Sequence, residues 1–564
     1  MIRLQSADGK LFIDASPRDT KNIKLIAGSR YRKDRNVWEC PLNLATFTAI
    51  RKMYGLQLSV AESALRAEKR LEYLAHLQEV ARQDQSVITQ EPRLYPFQNA
   101  GVRFLGKGKQ VLLADEMGTG KTVQSLVTLE LAKAFPALIV CTNSMKHKWA
   151  EEVETWTTAT PVVIEGTAPK RKKLIASCQE LDKFVLIINY ESLRLHSKLG
   201  SFGNTVTSPK EAEPKELNEI DFVAVIADEV HKAKEPKAKQ TRALWGVSKG
   251  ATYRFGLTGT PIMNNPDDLW SIMHFVCPDE WLSRSRFRQR YCHVSAGWHG
   301  GLENLGLIKQ RIPELDVFLQ PRMIRRTKAE VLPHLPEKTF DERRIPMTSK
   351  QAKSYKQMVD YMMAEVENGL LMASDPLSAL GRLRYFASAF VEFGTHDDEI
   401  SMRTPSNKLI AIQEILEEGG TPLVVYAESR RLIEFFDREL SESYSTGLLT
   451  GKVKPEQRKS NIDAFQSGKL DILLATTGAG AEGITLTASN RLVVAQESWS
   501  NTANKQAHDR IHRIGQERNV QIITLISADT VDETVHRACD YKEEQLQRLV
   551  RDKDWYKSAM IGDV

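Results

Sequence analysis

Four short stretches of this chain carry residue types that can do chemistry together. The first is Asp115-Glu116-Met117-Gly118-Thr119-Gly120-Lys121-Thr122. Glycines let backbone N–H groups turn inward onto phosphate oxygens, and a following helix N-terminus adds partial positive charge. Gly118, Thr119 and Gly120 would form that cradle, Lys121 would reach the β/γ-phosphates, and the Thr122 hydroxyl would hold Mg²⁺. Asp115 stands where the pattern G-x-x-x-x-G-K-[ST] has its first glycine. The second stretch, Asp228-Glu229-Val230-His231, offers adjacent carboxylates. One can hold a metal while the other activates water, the division of labour that phosphoanhydride hydrolysis needs. Asp228 takes the metal role and Glu229 the water; an acidic turn pair is the plainer alternative. The third, Leu257-Thr258-Gly259-Thr260-Pro261, places two hydroxyls where they could bond those carboxylates and couple the site to a neighbouring surface. The fourth is Gln506-Ala507-His508-Asp509-Arg510-Ile511-His512-Arg513-Ile514-Gly515-Gln516. On a helix, Arg510 and Arg513 share a face, and two guanidiniums suit the developing charge of a transferring phosphate. A solvated arginine face is the alternative.

Elements of the right kind flank each stretch. Val111-Leu112-Leu113 is a short apolar run before the glycine loop, and Val123–Val127 continues as a helical pattern. Apolar runs at 137–141, 184–188, 222–227 and 254–257 read as buried parallel strands. A second series covers 423–426, 471–475, 491–495 and 520–526. Two α/β blocks therefore frame residues 265–400, which read as mostly helical, and the polar stretch 200–219 reads as a loop. Residues 58–82 read as an amphipathic helix, with Leu65, Leu71, Leu74, Leu77 and Val80 near one face. Residues 1–55 mix strand-like runs at 10–13 and 23–26 with a helical pattern at 44–53.

At 564 residues the chain is long enough for several domains. No apolar run reaches the length of a membrane span, and the first eight residues lack a signal-peptide core. Cys40, Cys141, Cys178, Cys277, Cys292 and Cys539 include no C-x-x-C pair and read as core thiols in a reducing compartment. The net charge of +6 is matched by residues 1–55 alone, with 11 Lys/Arg against 5 Asp/Glu. A basic head on a neutral body suggests a nucleic-acid contact, or simply a solvated surface.

Taken in order, these motifs resemble those of Swi/Snf-type ATPases, a branch of the superfamily-two helicases. Tyr95-Pro96-Phe97-Gln98 is similar to the adenine-reading Q motif. It is followed by 115–122, 228–231, 257–264, Ile324-Arg325-Arg326-Thr327-Lys328, the stretch Thr476–Thr487 that contains Gly483, and 510–516. The family itself carries Asp at the position of Asp115. Three positions depart from its pattern: Thr142 where Pro is frequent, Thr485 where Asn is frequent, and Gln496 in place of an acidic residue. Ala495-Gln496-Glu497-Ser498-Trp499 is closest to the annealing-helicase branch. Arg30–Leu42 is similar to the HARP domain, which implies recognition of forked or branched DNA by Arg30, Arg32, Lys33 and Arg35. Tyr31 and Trp38 could stack on bases there, or could be core aromatics.

The resemblance implies an α/β fold of two RecA-like parallel-sheet lobes with helical insertions between them and a small α+β N-terminal domain. The expected divisions are a basic HARP-like domain at 1–55, a helical connector at 56–90 and an ATP-binding lobe at 91–264. Helical insertions and a linker follow at 265–400, a C-terminal lobe at 401–535 and a helical brace at 536–564. The cofactors implied are ATP and Mg²⁺. Lys121, Asp228, Glu229, Arg510 and Arg513 are the expected catalytic set. Gln98, the cradle, Thr122 and Gly483 bind nucleotide, while Thr258, Thr260 and Gln506 couple it to motion. The expected function is an ATP-driven double-stranded DNA translocase that reverses forks, anneals strands, migrates branches or displaces bound proteins. The expected partners are duplex or forked DNA, read without regard to sequence, and possible replication or repair proteins, with no membrane and a monomeric state. The expected location is the cytoplasm of a bacterial or phage-infected cell, or the nucleus in a eukaryote. The rival reading is a nucleotide-switched DNA clamp that recruits partners without productive turnover.

Overall fold

The computed structural model describes residues 2–7, 10–26, 28–83, 91–202, 208–259, 266–281, 283–296, 302–361, 363–366, 369–372, 376–393, 400–480 and 484–539. Thr260, Gly483 and most of the expected brace (540–564) lie outside the described residues. The chain divides into two compact units, the first reaching Val331 and the second beginning at Leu332.

The first unit opens with a five-stranded sheet in the order Arg30–Arg32, Val37–Pro41, Lys10–Asp14, Ile2–Ala7, Leu58–Val60. Asn43 caps the helix Leu44–Tyr54 by accepting from Thr46 N at 2.8 Å. That helix packs Phe47 and Ile50 onto Leu4, Leu11 and Ile13. Two expectations are corrected here. Residues 23–26 form no strand: Thr20–Ile23 is a helical turn, with Ile23 and Ile26 filling the core. The connector is not wholly helical, because Leu58–Val60 pairs in parallel with Ile2–Leu4 before the helix Glu62–Gln83 begins. Along that helix Leu71, Leu74 and Leu77 are buried, whereas Leu65 is exposed.

The larger part of the first unit is a seven-stranded, all-parallel sheet. Its order is Met323–Ile324, Gln110–Leu113, Tyr253–Leu257, Ala224–Asp228, Ala137–Cys141, Phe184–Asn189, Thr160–Val163. Val111 to Leu113, Leu138 to Cys141, Val185 to Ile188 and Ala224 to Ala227 are all buried, as strands covered on both faces must be. The second unit holds a six-stranded parallel sheet in the order Lys338–Ile345, Val520–Ser527, Arg491–Gln496, Leu423–Ala427, Ile472–Thr476, Thr446–Leu449. Both sheets have the doubly covered α/β architecture of RecA-like lobes.

The mostly helical reading of 265–400 is corrected. Met323–Ile324 belongs to the first sheet and Lys338–Ile345 to the second. Antiparallel strand pairs form between 292–296 and 302–307, between 363–366 and 369–372, and between 390–393 and 400–403. Lys338–Ile345 sits at a sheet edge and is half-exposed along its length, so it carries charges where a central strand carries Val and Ile. The 200–219 stretch is not merely a loop either: helical turns at 209–212 and 216–219 form, and Leu217 is fully buried. Among the described residues no helix is long and apolar enough to cross a membrane.

Candidate nucleotide site

In the first unit, the register aligns Leu113, Leu257 and Asp228 across three adjacent strands. The glycine loop, Thr258 and the acidic pair therefore leave the same sheet edge side by side, the edge at which α/β proteins bind ligands. Within the loop, the left-handed φ values fall at Gly118 (82°) and Gly120 (81°), and none falls at Asp115. The turn therefore needs no glycine at 115. Gly120 has a second constraint, since a Cβ there would lie 2.3 Å from Gln98 Nε2. That amide donates to Thr119 O at 3.0 Å, and its Oε1 accepts from Tyr95 N at 3.0 Å. Gln98 is thus buried against the cradle and braces it. Lys121 folds back so that Nζ donates to Asp115 O at 2.8 Å and Glu116 O at 3.1 Å. Thr122 follows in the first turn of the helix Lys121–Ala132 and is half-buried.

Asp115 is fully buried and forms a two-pronged ion pair with Arg326, which is 1% exposed. Sequence reading missed Arg326 as a site residue because its partner lies 211 positions away. Removing one member of such a pair leaves a buried uncompensated charge, at about 3–5 kcal/mol.

Asp228 ends its strand with each part of the residue engaged. Oδ2 accepts from Trp149 Nε1 at 2.9 Å, Oδ1 from Glu229 N at 3.0 Å, and the carbonyl from Tyr190 OH at 2.8 Å. Loss of solvent and then the neighbouring Glu229 push its carboxyl up to about 6, against the Trp149 bond and the nearby charge of Lys121. Glu229 itself adopts φ 46°, ψ 50°, left-handed backbone that a side chain enters at a cost of order 1 kcal/mol. Such strain is characteristic of functional positions. The expectation that Thr258 bonds the carboxylates directly is refined. Its hydroxyl meets His231 Nδ1 at 3.2 Å, and the same nitrogen lies 3.2 Å from Glu229 Oε2. The imidazole therefore stands between the hydroxyl and the acid. Trp149 and Tyr190 gave no sequence signal, being isolated from any motif in otherwise polar helices.

In the second unit the arginines are not on a helix, as the sequence reading had them. The helix Asn501–His508, which carries Gln506, ends before them, and Arg510 and Arg513 lie in the turns that follow. They still converge. Both guanidiniums lie close enough to the buried Tyr426 phenol to oppose the upward push of burial on it. Arg510 is buried, and its carbonyl accepts from Leu486 N at 2.9 Å. Arg513 Nη1 donates to Ile484 O at 3.1 Å and Thr485 Oγ1 at 3.2 Å, so one family departure touches this arginine directly. Gln516 is structural: its amide donates to Thr487 O, Ser489 O and Ile511 O. Gln496, another departure, accepts from Ser429 N and donates to Arg384 O. A carboxylate could not do both.

In the head, Arg30, Lys33 and Arg35 are exposed around the hairpin Arg30–Pro41. Arg32 is half-buried and lies 3.4 Å from Glu39 and 3.8 Å from Asp34. Trp38 is 7% exposed and belongs to the core, which removes it as a base-stacking platform. Tyr31, packed against it at 5.3 Å, stays exposed.

A model of the SNF2-related domain matches residues 68–388, and one of the helicase conserved C-terminal domain matches residues 407–515. The putative ATP-dependent helicase/translocase YwqA of Bacillus subtilis is 26% identical over 486 residues, covering 82% of this chain and 49% of that protein. The DNA annealing helicase and endonuclease ZRANB3 of Bos taurus is 27% identical over 461 residues, covering 78% of this chain and 39% of that protein. A solved SWI2/SNF2 ATPase core of Sulfolobus solfataricus, in complex with dsDNA, is 24% identical and covers 84% of this chain and 97% of its own, with a TM-score of 0.38. The chain spans less than half the length of each of these two curated relatives.

Proposed function

This chain belongs to the SNF2-related family, and on that premise we propose that it is a DNA-dependent ATPase that drives translocation along double-stranded DNA. The observation that carries the reading is the alignment of the glycine loop, Thr258 and Asp228–Glu229 on three neighbouring strand ends. Lys121, now on the carbonyls of Asp115 and Glu116, exchanges them for phosphate oxygens when nucleotide enters. Glu229 orients and deprotonates the attacking water. Thr122 and Asp228 suit a magnesium ion, since a hydroxyl and one solvent-starved carboxylate leave the remaining coordination to phosphates and water. Such an ion supplies charge neutralisation at the β/γ-phosphates. Arg510 and Arg513 supply the donors for the charge that builds during transfer. The path Glu229, His231, Thr258 gives the acid a route by which hydrolysis is felt elsewhere in the unit, with Gln506 serving the same purpose in the second.

The names of the relatives, a helicase/translocase and an annealing helicase, favour remodelling of DNA, with fork reversal, strand annealing or branch migration as the finer reading. The exposed arginines and lysine of the head support a preference for forks. Steady-state ATPase without DNA and with single-stranded, duplex and forked DNA tests the proposal. Stimulation by duplex, greatest with forks, is expected. DNA binding with no stimulated turnover would favour the clamp.

A further inference from the structure

The segment 322–328 runs along the rising limb of the glycine loop as a continuous brace. Leu112 N donates to Arg322 O (2.7 Å), Ala114 N to Ile324 O (2.8 Å) and Glu116 N to Arg326 O (2.9 Å). Lys328 N then donates to Glu116 Oε2 at 2.7 Å. Three residues later the unit ends, and the chain passes to the second.

At the centre of this brace, the five N–H donors of Arg326 have five acceptors. Nε serves Asp115 Oδ1 at 3.1 Å, and one Nη2 hydrogen serves Asp115 Oδ2. The other Nη2 hydrogen serves Gln124 Oε1 at 2.9 Å, while Nη1 serves Phe97 O at 2.5 Å and Ala81 O at 3.2 Å. Gln124 belongs to the falling limb: its backbone N donates to Gly120 O at 3.1 Å and its amide approaches the same oxygen at 3.5 Å. One guanidinium therefore holds both sides of the cradle. The packing is built around it, because a Cβ on Gly101 would come within 1.9 Å of Gln124 Oε1 and 2.9 Å of Arg326 Nη2.

We infer that Arg326 is a positioning residue for nucleotide: through Asp115 and Gln124 it sets the width of the phosphate cradle, and its place in the brace ties that width to the segment leading into the second unit. The carbonyls of Asp115 and Glu116, where Lys121 rests, are aimed by this arrangement. A strut that only stabilised the fold would bond one limb; this one bonds both, and the helices that carry Gln98 and Ala81 as well. The inference rests on the reading of residues 115–122 as a nucleotide site.

The test uses the full chain, a fluorescent ADP derivative as probe and thermal melting as a separate readout. Binding is measured at a temperature where melting shows each variant fully folded, so lost stability alone does not move the dissociation constant. Arg326→Lys keeps the charge but cannot form the fork, and it is expected to weaken ADP binding by about tenfold, the loss of one to two charge-assisted bonds. Gln124→Ala spares the ion pair and should weaken binding by about two- to fivefold, one neutral bond. In ATPase assays KM should rise more than kcat falls. Wild-type affinity in both variants, with melting lowered, would overturn the inference and leave Arg326 a strut. If wild type itself bound no ADP, and Lys121→Ala changed nothing, the nucleotide reading would fail first.

Discussion

The two halves of the proposed catalytic set are held in different ways. In the first unit, Asp228 terminates a buried strand and is fastened by Trp149, Tyr190 and the backbone of Glu229. Lys121 and the loop around it are braced by Gln98, Arg326 and Gln124. In the second unit, Arg510 and Arg513 stand in turns beyond a helix end, where no repeating ladder of backbone bonds fixes them. Phosphate and metal must be met in the ground state, so their site benefits from being set in advance. The arginines answer to charge that exists only as the phosphoryl group departs, and groups used solely then raise kcat and not ground-state affinity.

Removing Arg513 is the strongest way to break this comparison. Arg513→Ala is expected to lower DNA-stimulated turnover by about 10³-fold or more, the range for an arginine finger, while ADP and DNA binding persist. Arg510→Ala should follow the same pattern less severely. Single-turnover ATPase and filter binding measure both. If nucleotide affinity fell in step with turnover, the arginines would belong with the pre-set groups and the contrast would collapse.

Glu229 tests the other half. Glu229→Gln keeps shape and removes the base, so kcat should fall by about 10²–10⁴ with nucleotide binding retained. Lys121→Ala should lose binding as well as turnover. Near-normal turnover in Glu229→Gln would remove the water-activating role and leave the strained backbone at 229 unexplained.

What could be read from sequence followed the range of the interactions. Strands such as 137–141 and 224–227 are apolar on both faces, so burial is written locally, and the order loop, acid pair and arginines survives any error in element boundaries. Lys338–Ile345 was illegible because an edge strand takes charged side chains. Arg510 and Arg513 kept their proximity but not their helix, since i, i+3 spacing says nothing about where a helix stops. Asp115 was visible only as a departure; its reason, Arg326, lies 211 residues on, and Trp149 lies 79 residues from Asp228. Trp38 had two open readings, and only its packing against Leu11 and Ile13 decided between them.

The head extends the comparison to a region where Arg30, Lys33 and Arg35 are exposed. Replacing Arg30, Lys33 and Arg35 with alanine should leave basal ATPase unchanged and weaken binding to forked DNA, most of all at low salt. For every phosphate that is no longer neutralised, the slope of log K against log salt should become shallower by about 0.9. Arg32→Ala, which removes the ion pairs to Glu39 and Asp34, should lower melting temperature more than DNA affinity. An unaltered fork preference in the triple variant, at matched salt, would place substrate choice in the motor.

The smallest expected effect concerns the cost of setting a site in advance. Asp228 has its carboxyl pushed from the ordinary 3.8 to about 6 by burial and by Glu229, so its ionised form opposes folding. Asp228→Asn should therefore melt higher than wild type by about a few degrees in nucleotide-free buffer, while turnover is lost. The sign with pH follows from linkage. A carboxyl raised on folding costs its full amount above its folded value, so the gain should be complete above about pH 6. Between about 6 and 3.8 the folded carboxyl takes up its proton before the unfolded one does, and the gain should shrink. Below 3.8 both states are neutral, and the variant should melt with wild type. Arg513→Ala offers the control, because a guanidinium keeps its charge throughout this pH range. A gain for Asp228→Asn that persisted at acid pH would attribute it to packing, and the first unit would then hold its carboxylate without paying in stability for having it ready.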